Sequence, residues 1–345
     1  MDGAESAIID LTEAAYDLDA DDTEWLSAVL RRGLPVLDHG LGVAGWEYGR
    51  SPSGGEVEHR RVRVASGPQD FADRHVRGVA SVPSEVLRSA LGTGRATTGS
   101  QVSSELGHPE ALESYTSHVG YCKDVLYLTA VDARGAGVSI IVPLPEVTTL
   151  SRHEARRWQM LAAHLEAGHR LREGVTAAEG QQEAAIDLPH HAEAILETKS
   201  FRVAEATGCA QRRTAVQRLR DAAVAIDRAR GKMRQTDPQK ALEGWKALVQ
   251  GRWSIVDWFD TDGRRFVLAI PNAPELVDPR GLTERESQVV WMAAEGMTNK
   301  MIAYRLGLST SRVSLLLRNA MQKRGARTRP QLVKMTRDLP EPDQA

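Results

Sequence analysis

The chain has 345 residues, of which 41% are hydrophobic and 26% charged, with a formal net charge of −2. That length suits two or three domains, and the composition is that of a globular protein, not a disordered or fibrous one. Cys122 and Cys209 are the only cysteines, too few for a disulfide framework or a paired-cysteine metal site, and no apolar run reaches the length of a membrane span.

The first thirty residues hold nine acids before the first base, Arg31. Residues 1–23 therefore read as a solvated acidic arm leading into a helix. They lack the basic and apolar regions of a secretory leader, so the chain is expected in the cytoplasm. A phosphate-receiver pocket would need its acids at a strand's end, and no strand precedes Asp17–Asp22. Trp25, Leu26, Val29 and Leu30 then have the spacing of a buried helical face.

Gly42–Tyr48 and Val57–Val64 read as two antiparallel strands joined by turn chemistry at Pro52–Gly55. Phe71–Ala80 and Pro83–Leu91 are helix-compatible. Leu91–Glu105, rich in Gly, Thr and Ser, reads as a loop. Its Gly92-x-Gly94 follows a helix rather than a strand, which argues against a dinucleotide cradle. Val125–Val131 and Val138–Val142 are strong strands around a hairpin loop. A helix follows from Arg152 to about Arg172, with Trp158, Leu161, Leu165 and Leu171 on one side.

Residues 173–192 look like a linker. Ala194–Glu197 and Phe201–Ala204 can pair as a hairpin, and a long helix follows from about Arg212 to Lys232. Its apolar steps suit either a short coiled-coil seam or a helix lying on its own sheet. A shorter helix is expected to carry Ala241, Leu242, Trp245, Leu248 and Val249. Trp253–Phe259 and Arg265–Ile270 form a hairpin turned at Asp262-Gly263, and residues 272–280 are a second linker.

From Leu282 to about Met335 the chain reads as four short helices. Thr283 and Glu286 make a capping box. Thr298 can cap a second helix, which Gly307 ends, and Ser309 a third that carries Val313, Leu316, Leu317 and Ala320 inward. Gly325 closes that helix, and Thr328-x-x-Gln331 opens the fourth. A helix pair across a Gly-containing turn, braced by others, is a helix-turn-helix. Residues 281–337 hold eleven bases and three acids, an excess of eight that leaves a net charge of −10 on the remainder. Such a segment attracts phosphate before any base is read.

Three stretches carry a family likeness: Leu282–Glu286, Ala293–Ser309, and the spacing of Lys323, Gly325, Arg329 and Leu332. Through them, residues 281–337 resemble the LuxR-type DNA-binding domain, ahead of a short tail at 338–345. The resemblance implies a third helix in the major groove, a second across the backbone, and a fourth that often dimerises. Carried over by position, Asn299 and Lys300 should touch phosphate. Ser309, Thr310, Ser311, Arg312, Ser314, Leu315, Arg318 and Asn319 should face DNA. Where the commonest pattern has Thr-Val-Lys-x-His, this chain has Arg312-Val313-Ser314-Leu315-Leu316, so a phosphate-binding Lys is a Ser and a polar His is apolar. Arg312 and Arg318 can supply the missing contacts, since Arg also reads guanine bidentately.

By element order alone, residues 24–172 resemble a GAF-type sensor and residues 193–271, with their long helix, a PAS-type unit. The expected fold is therefore α+β and multi-domain, with an all-α four-helix end. Sensor domains of this build imply a small molecule or protein signal. Trp46, Tyr48, Tyr115, Tyr121 and Tyr127 are its candidate liners, and the same aromatics also read as core. Trp46-Glu47-Tyr48 lacks the Asp-Pro of the acyl-homoserine-lactone signature. His108, His118 and Cys122 are the candidate metal or haem ligands, beside their reading as ordinary surface and core residues. No metal-binding or nucleophile motif occurs, no cofactor is indicated, and an enzyme is not expected.

The expected function is a transcription regulator that binds double-stranded DNA as a homodimer. The competing reading is a binding module that keeps the four-helix fold and titrates another regulator, for which Leu315-Leu316-Leu317 would be the apolar contact.

Overall fold

The structure is a computed structural model and describes residues 2–21, 24–50, 57–91, 96–131, 136–179, 188–245, 247–249, 253–271, 282–324, 326 and 328–337. The turns expected at 52–55 and 132–135, the segment 92–95, the linker 272–280, the stop at Gly325 and the tail 338–345 lie outside them. Two compact units are present, residues 1–172 with 227–244 and residues 173–226 with 245–345.

The first unit opens with α1 (Asp2–Ala15) and α2 (Trp25–Leu37), then β1 (Val43–Arg50) and β2 (Val57–Ser66). Next come α3 (Phe71–Ala80), α4 (Ser84–Ala90), β3 (Ala96–Thr98), α5 (Gly99–Glu105) and α6 (Pro109–Val119). It continues through β4 (Asp124–Val131) and β5 (Gly137–Leu144) into α7 (Arg152–Glu179), a turn or two longer than its apolar spacing predicts. The strands form one antiparallel sheet in the order β2-β1-β5-β4-β3. Because side chains alternate along a strand, the sheet has two apolar faces. Trp46, Tyr48, Val125, Tyr127 and Ile141 cluster with Phe71, Tyr115 and Val119 on one of them. On the other, Gly45 lies under Leu26 and Leu30 of α2.

The acidic N-terminus is not a solvated arm. Ile8, Ile9 and Leu11 are buried at helical spacing, so the segment has an inner face worth covering. Two of its acids have partners on the 227–244 segment of the same unit: Glu13 pairs with Arg230 at 2.7 Å, and Asp10 with Arg234. The acids that suggested an arm are the outer face of a packed helix. Helix α7 meets α1 at backbone distance, since a Cβ on Gly168 would stand 2.1 Å from the Ala15 carbonyl oxygen. Only glycine fits there.

Residues 96–105 are also ordered, although their composition reads as a loop. Thr98 caps α5 by accepting the Gln101 N–H. The buried Asp124 accepts hydrogen bonds from the Ser100 N–H (3.0 Å), the Ser100 hydroxyl and the Thr148 N–H (2.9 Å). The Ser and Thr that suggested a loop are capping groups.

In the second unit, β6 (Ala194–Glu197) and β7 (Val203–Ala206) form the expected hairpin, with its return strand two residues later than the pattern suggests. Helix α8 (Arg213–Arg228) buries Ala215, Leu219, Ala222, Ala223 and Ile226. The following residues, which belong to the first unit, form a π-type turn (Ala229–Met233), α9 (Arg234–Thr236) and α10 (Pro238–Gly244). The shorter helix stops at Gly244. Leu248 and Val249, expected on it, instead form β8 (Leu248–Val249), paired with Ser254 and Trp253. With β9 (Trp253–Phe259) and β10 (Arg265–Pro271) this gives an antiparallel sheet in the order β7-β6-β10-β9-β8. Counted within each unit, both sheets run second, first, fifth, fourth, third. Among the described residues, no helix is long and apolar enough to cross a membrane.

His164 of α7 is buried against Tyr16, ring nitrogen to hydroxyl at 2.9 Å, and burial pushes its pKa down to about 3. The unfolded chain, with an ordinary imidazole near 6.5, binds the proton first as pH falls. Stability is therefore full above pH 6.5 and declines toward pH 3, by about 1.4 kcal/mol per pH unit from this residue. Denaturation midpoints of the first unit between pH 7 and 5 should show this slope. His164→Gln, which can still bond Tyr16 but does not titrate, should flatten it. An unchanged slope would contradict the assignment.

Candidate nucleic-acid interface

The C-terminal helices are α11 (Glu284–Ala294), α12 (Asn299–Leu306), α13 (Thr310–Arg324) and α14 (Arg329–Arg337). Each start has its cap. Thr283 and Glu286 form the reciprocal box, Thr298 accepts the Met301 N–H at 3.2 Å, Ser309 the Arg312 N–H at 3.2 Å, and Thr328 the Gln331 N–H at 3.3 Å. Gly307 ends α12 at φ 60°, the left-handed geometry that lets α13 leave at an angle.

One apolar core holds the four helices. Val289, Val290 and Ala293 meet Ile302 and Leu306 of α12, Val313, Leu316, Leu317 and Ala320 of α13, and Leu332 of α14. Once those α13 residues face inward, helical geometry turns Ser311, Ser314, Leu315 and Arg318 outward as an i, i+3, i+4, i+7 stripe. All four are exposed, as are Ser309, Thr310 and Arg312 beside them, while Asn319 is half-buried. Leu315 is 38% exposed against 5% for both Leu316 and Leu317. The leucine run is therefore two core residues and one surface residue. The His-to-Leu departure at Leu316 falls in the core, where an apolar side chain belongs.

The cations divide similarly. Lys300, Arg312, Arg318 and Lys334 are exposed. Arg305 is buried, with its guanidinium 3.5 Å from the Met297 sulfur, and Arg285 bonds Gln288. Among the described cations, Arg305 is interior and adds charge without meeting a phosphate directly. Asn299, expected on phosphate, accepts a hydrogen bond from Arg329 at 2.8 Å and donates to Ser314 at 3.1 Å. Arg329 was not among the expected site residues. The available signal was its place in a first helical turn, where the dipole disfavours a cation that lacks a partner.

The candidate ligand liners of the first unit form an aromatic cluster. Trp46, Tyr48, Tyr115 and Tyr127 are buried in it, and Tyr121 packs at its margin. His75 stacks 4.3 Å from Trp46 and bonds the Tyr115 hydroxyl at 2.7 Å. Burial raises the pKa of the tyrosines, that of Tyr121 to about 12, and pushes the Cys122 thiol up to about 11. His108 bonds Glu110 at 2.9 Å and His118 the Ser114 carbonyl at 2.9 Å. Among the described residues, no group of three or more His, Cys, Asp or Glu is placed to hold a metal.

Two capped helices across a left-handed glycine, with a polar and cationic stripe turned to solvent, make a helix-turn-helix. The family of bacterial regulatory proteins described as the luxR family matches residues 280–336, so the C-terminal segment is a LuxR-family domain. The transcriptional regulatory protein FixJ of Azorhizobium caulinodans is 44% identical over 55 residues, which are 16% of this chain and 26% of the relative. The chain thus spans about a quarter of that relative's length.

The inner and outer faces of α13 predict unequal costs. Leu316→Ala should lower the opening free energy of α11–α14, read by hydrogen exchange in the whole chain, by about 2–5 kcal/mol. Leu315→Ala should change it by no more than about 0.5 kcal/mol. Equal costs would contradict the facing described.

Proposed function

We propose that the chain is a transcription regulator that binds double-stranded DNA through α13, acts as a homodimer in the cytoplasm, and is controlled by its two N-terminal sheet regions. The observation that carries this reading is the exposed stripe of Ser311, Ser314, Leu315 and Arg318, flanked by Arg312 and Lys300. It presents hydroxyl and guanidinium groups suited to base edges, with an ammonium suited to phosphate. Membership of residues 280–336 in the luxR family supports it, as does the likeness to the transcriptional regulatory protein FixJ.

The repeated strand order of the two sheets supports treating residues 24–172 as a GAF-like module and residues 193–271 as a PAS-like one. A small molecule or protein signal at the first, near Trp46, Tyr48, Tyr115, Tyr121 and Tyr127, would act by favouring one arrangement of the protein over another. The titrating-module reading draws less support, since Leu316 and Leu317 are core and Leu315 is the exposed member of the leucine run.

The whole chain should retard sheared chromosomal DNA at low salt. On a selected duplex, Arg312→Ala or Arg318→Ala should weaken binding and relax base preference, each by about 1–3 kcal/mol. Lys300→Ala should weaken all sequences alike and lower the log–log salt slope by about one. No retardation by the parent would end the proposal, and arginine variants that footprint like the parent at matched salt would end the assignment to α13.

A further inference from the structure

We propose that Arg329 is a positioning residue for the reading helix, acting through Asn299 and Ser314, and that Asn299 is committed to this relay instead of phosphate. The inference rests on the DNA-binding reading above and deepens it.

The hydrogen-bond directions leave little freedom. A guanidinium only donates, so the Asn299 group facing Arg329 must be the carbonyl oxygen, which Arg329 Nη1 meets at 2.8 Å. That orientation turns the amide nitrogen toward Ser314, where Nδ2 donates to Oγ at 3.1 Å. The Ser314 hydroxyl then spends its own proton on the Thr310 carbonyl at 3.0 Å. Each link in the chain thus runs from a donor to an acceptor. The other arm of the guanidinium, Nη2, donates to the Met297 carbonyl at 2.6 Å, between α11 and α12. One side chain at the start of α14 thereby ties the approach to α12, the first residue of α12, and the exposed stripe of α13.

Two consequences separate this from a phosphate role for Asn299. Its carbonyl is taken by Arg329 and its amide nitrogen by Ser314, so removing it loosens both partners at once. Ser314, standing where the commonest family pattern has Lys, is the surface acceptor that completes the relay; a long cationic side chain there could not accept from Asn299. Because a relay acts as a unit, losing any one link costs about as much as losing two.

The test uses the whole chain and a duplex enriched from random sequence, with binding followed by fluorescence anisotropy over a range of salt. Asn299→Ala and Arg329→Lys should each weaken binding by about tenfold, the size of one charge-assisted hydrogen bond, and leave the log–log salt slope at the parent value. Arg329→Lys keeps the charge but cannot span both acceptors. The double variant should be no weaker than either single. Lys300→Ala is the control that lowers the slope by about one. Parent-like affinity in Asn299→Ala, or additive losses in the double variant, would each overturn the relay. Should Arg329→Lys prove unstable by its melting curve, the Asn299→Ala, Ser314→Ala double-mutant cycle decides alone, with additive losses overturning the relay. If the parent binds no duplex at all, the DNA-binding reading fails instead, which is a distinguishable result.

Discussion

The burial of Val313, Leu316, Leu317 and Ala320 against the other C-terminal helices is the constraint on which the functional reading depends. A helix that commits those positions to a core has no choice about what it shows to water. Each of these side chains contributes through area removed from solvent, on the order of 1.5–3 kcal/mol for a leucine. Caps at Thr283, Thr298, Ser309 and Thr328 add smaller terms but set the register. The left-handed Gly307 then fixes the angle at which the exposed stripe leaves its neighbour. Chemistry toward a ligand comes last in this order, as the residue choices left over once packing is satisfied.

Electrostatics follows the same hierarchy. Eleven bases in residues 281–337 suggest a uniformly cationic surface, yet Arg305 is interior and Arg329 is spent on its neighbours. Among the described residues, Lys300, Arg312 and Arg318 stand exposed on and beside the stripe. Long-range attraction depends on total charge and is little affected by this sorting. Orientation on a duplex depends on where the exposed cations stand. In the first unit a similar sorting ties Asp10 and Glu13 to Arg234 and Arg230.

Local signals of a single kind were legible in the sequence: the caps, the helical spacing of Val313 to Ala320, and the hairpins at 124–144 and 253–271 all appear where residue chemistry places them. The failures come where two signals compete. In α1 a dense set of acids hid Ile8, Ile9 and Leu11, since a charge count ignores which face the charges occupy. At 96–105 the Ser and Thr of capping chemistry mimic a loop, and only the buried Asp124, distant in sequence, reveals otherwise. Leu248 and Val249 continued a helical pattern but pair with Trp253 and Ser254, a contact no local window contains. The engagement of Asn299 by Arg329 is likewise a matter of tertiary distance, which its place within a motif does not reveal. The facing of α13 follows from the same helical spacing, with Leu316 inside and Leu315 outside.

The central claim is that α13 lies in the major groove of a duplex. Methylation interference tests it most directly, because dimethyl sulfate marks guanine N7 in the major groove and adenine N3 in the minor groove. On a duplex enriched by the whole chain, methylated guanines within the bound site should be depleted from the bound fraction, with adenine methylation nearly silent there. Interference confined to adenine N3, with guanine N7 tolerated throughout the site, would contradict the account.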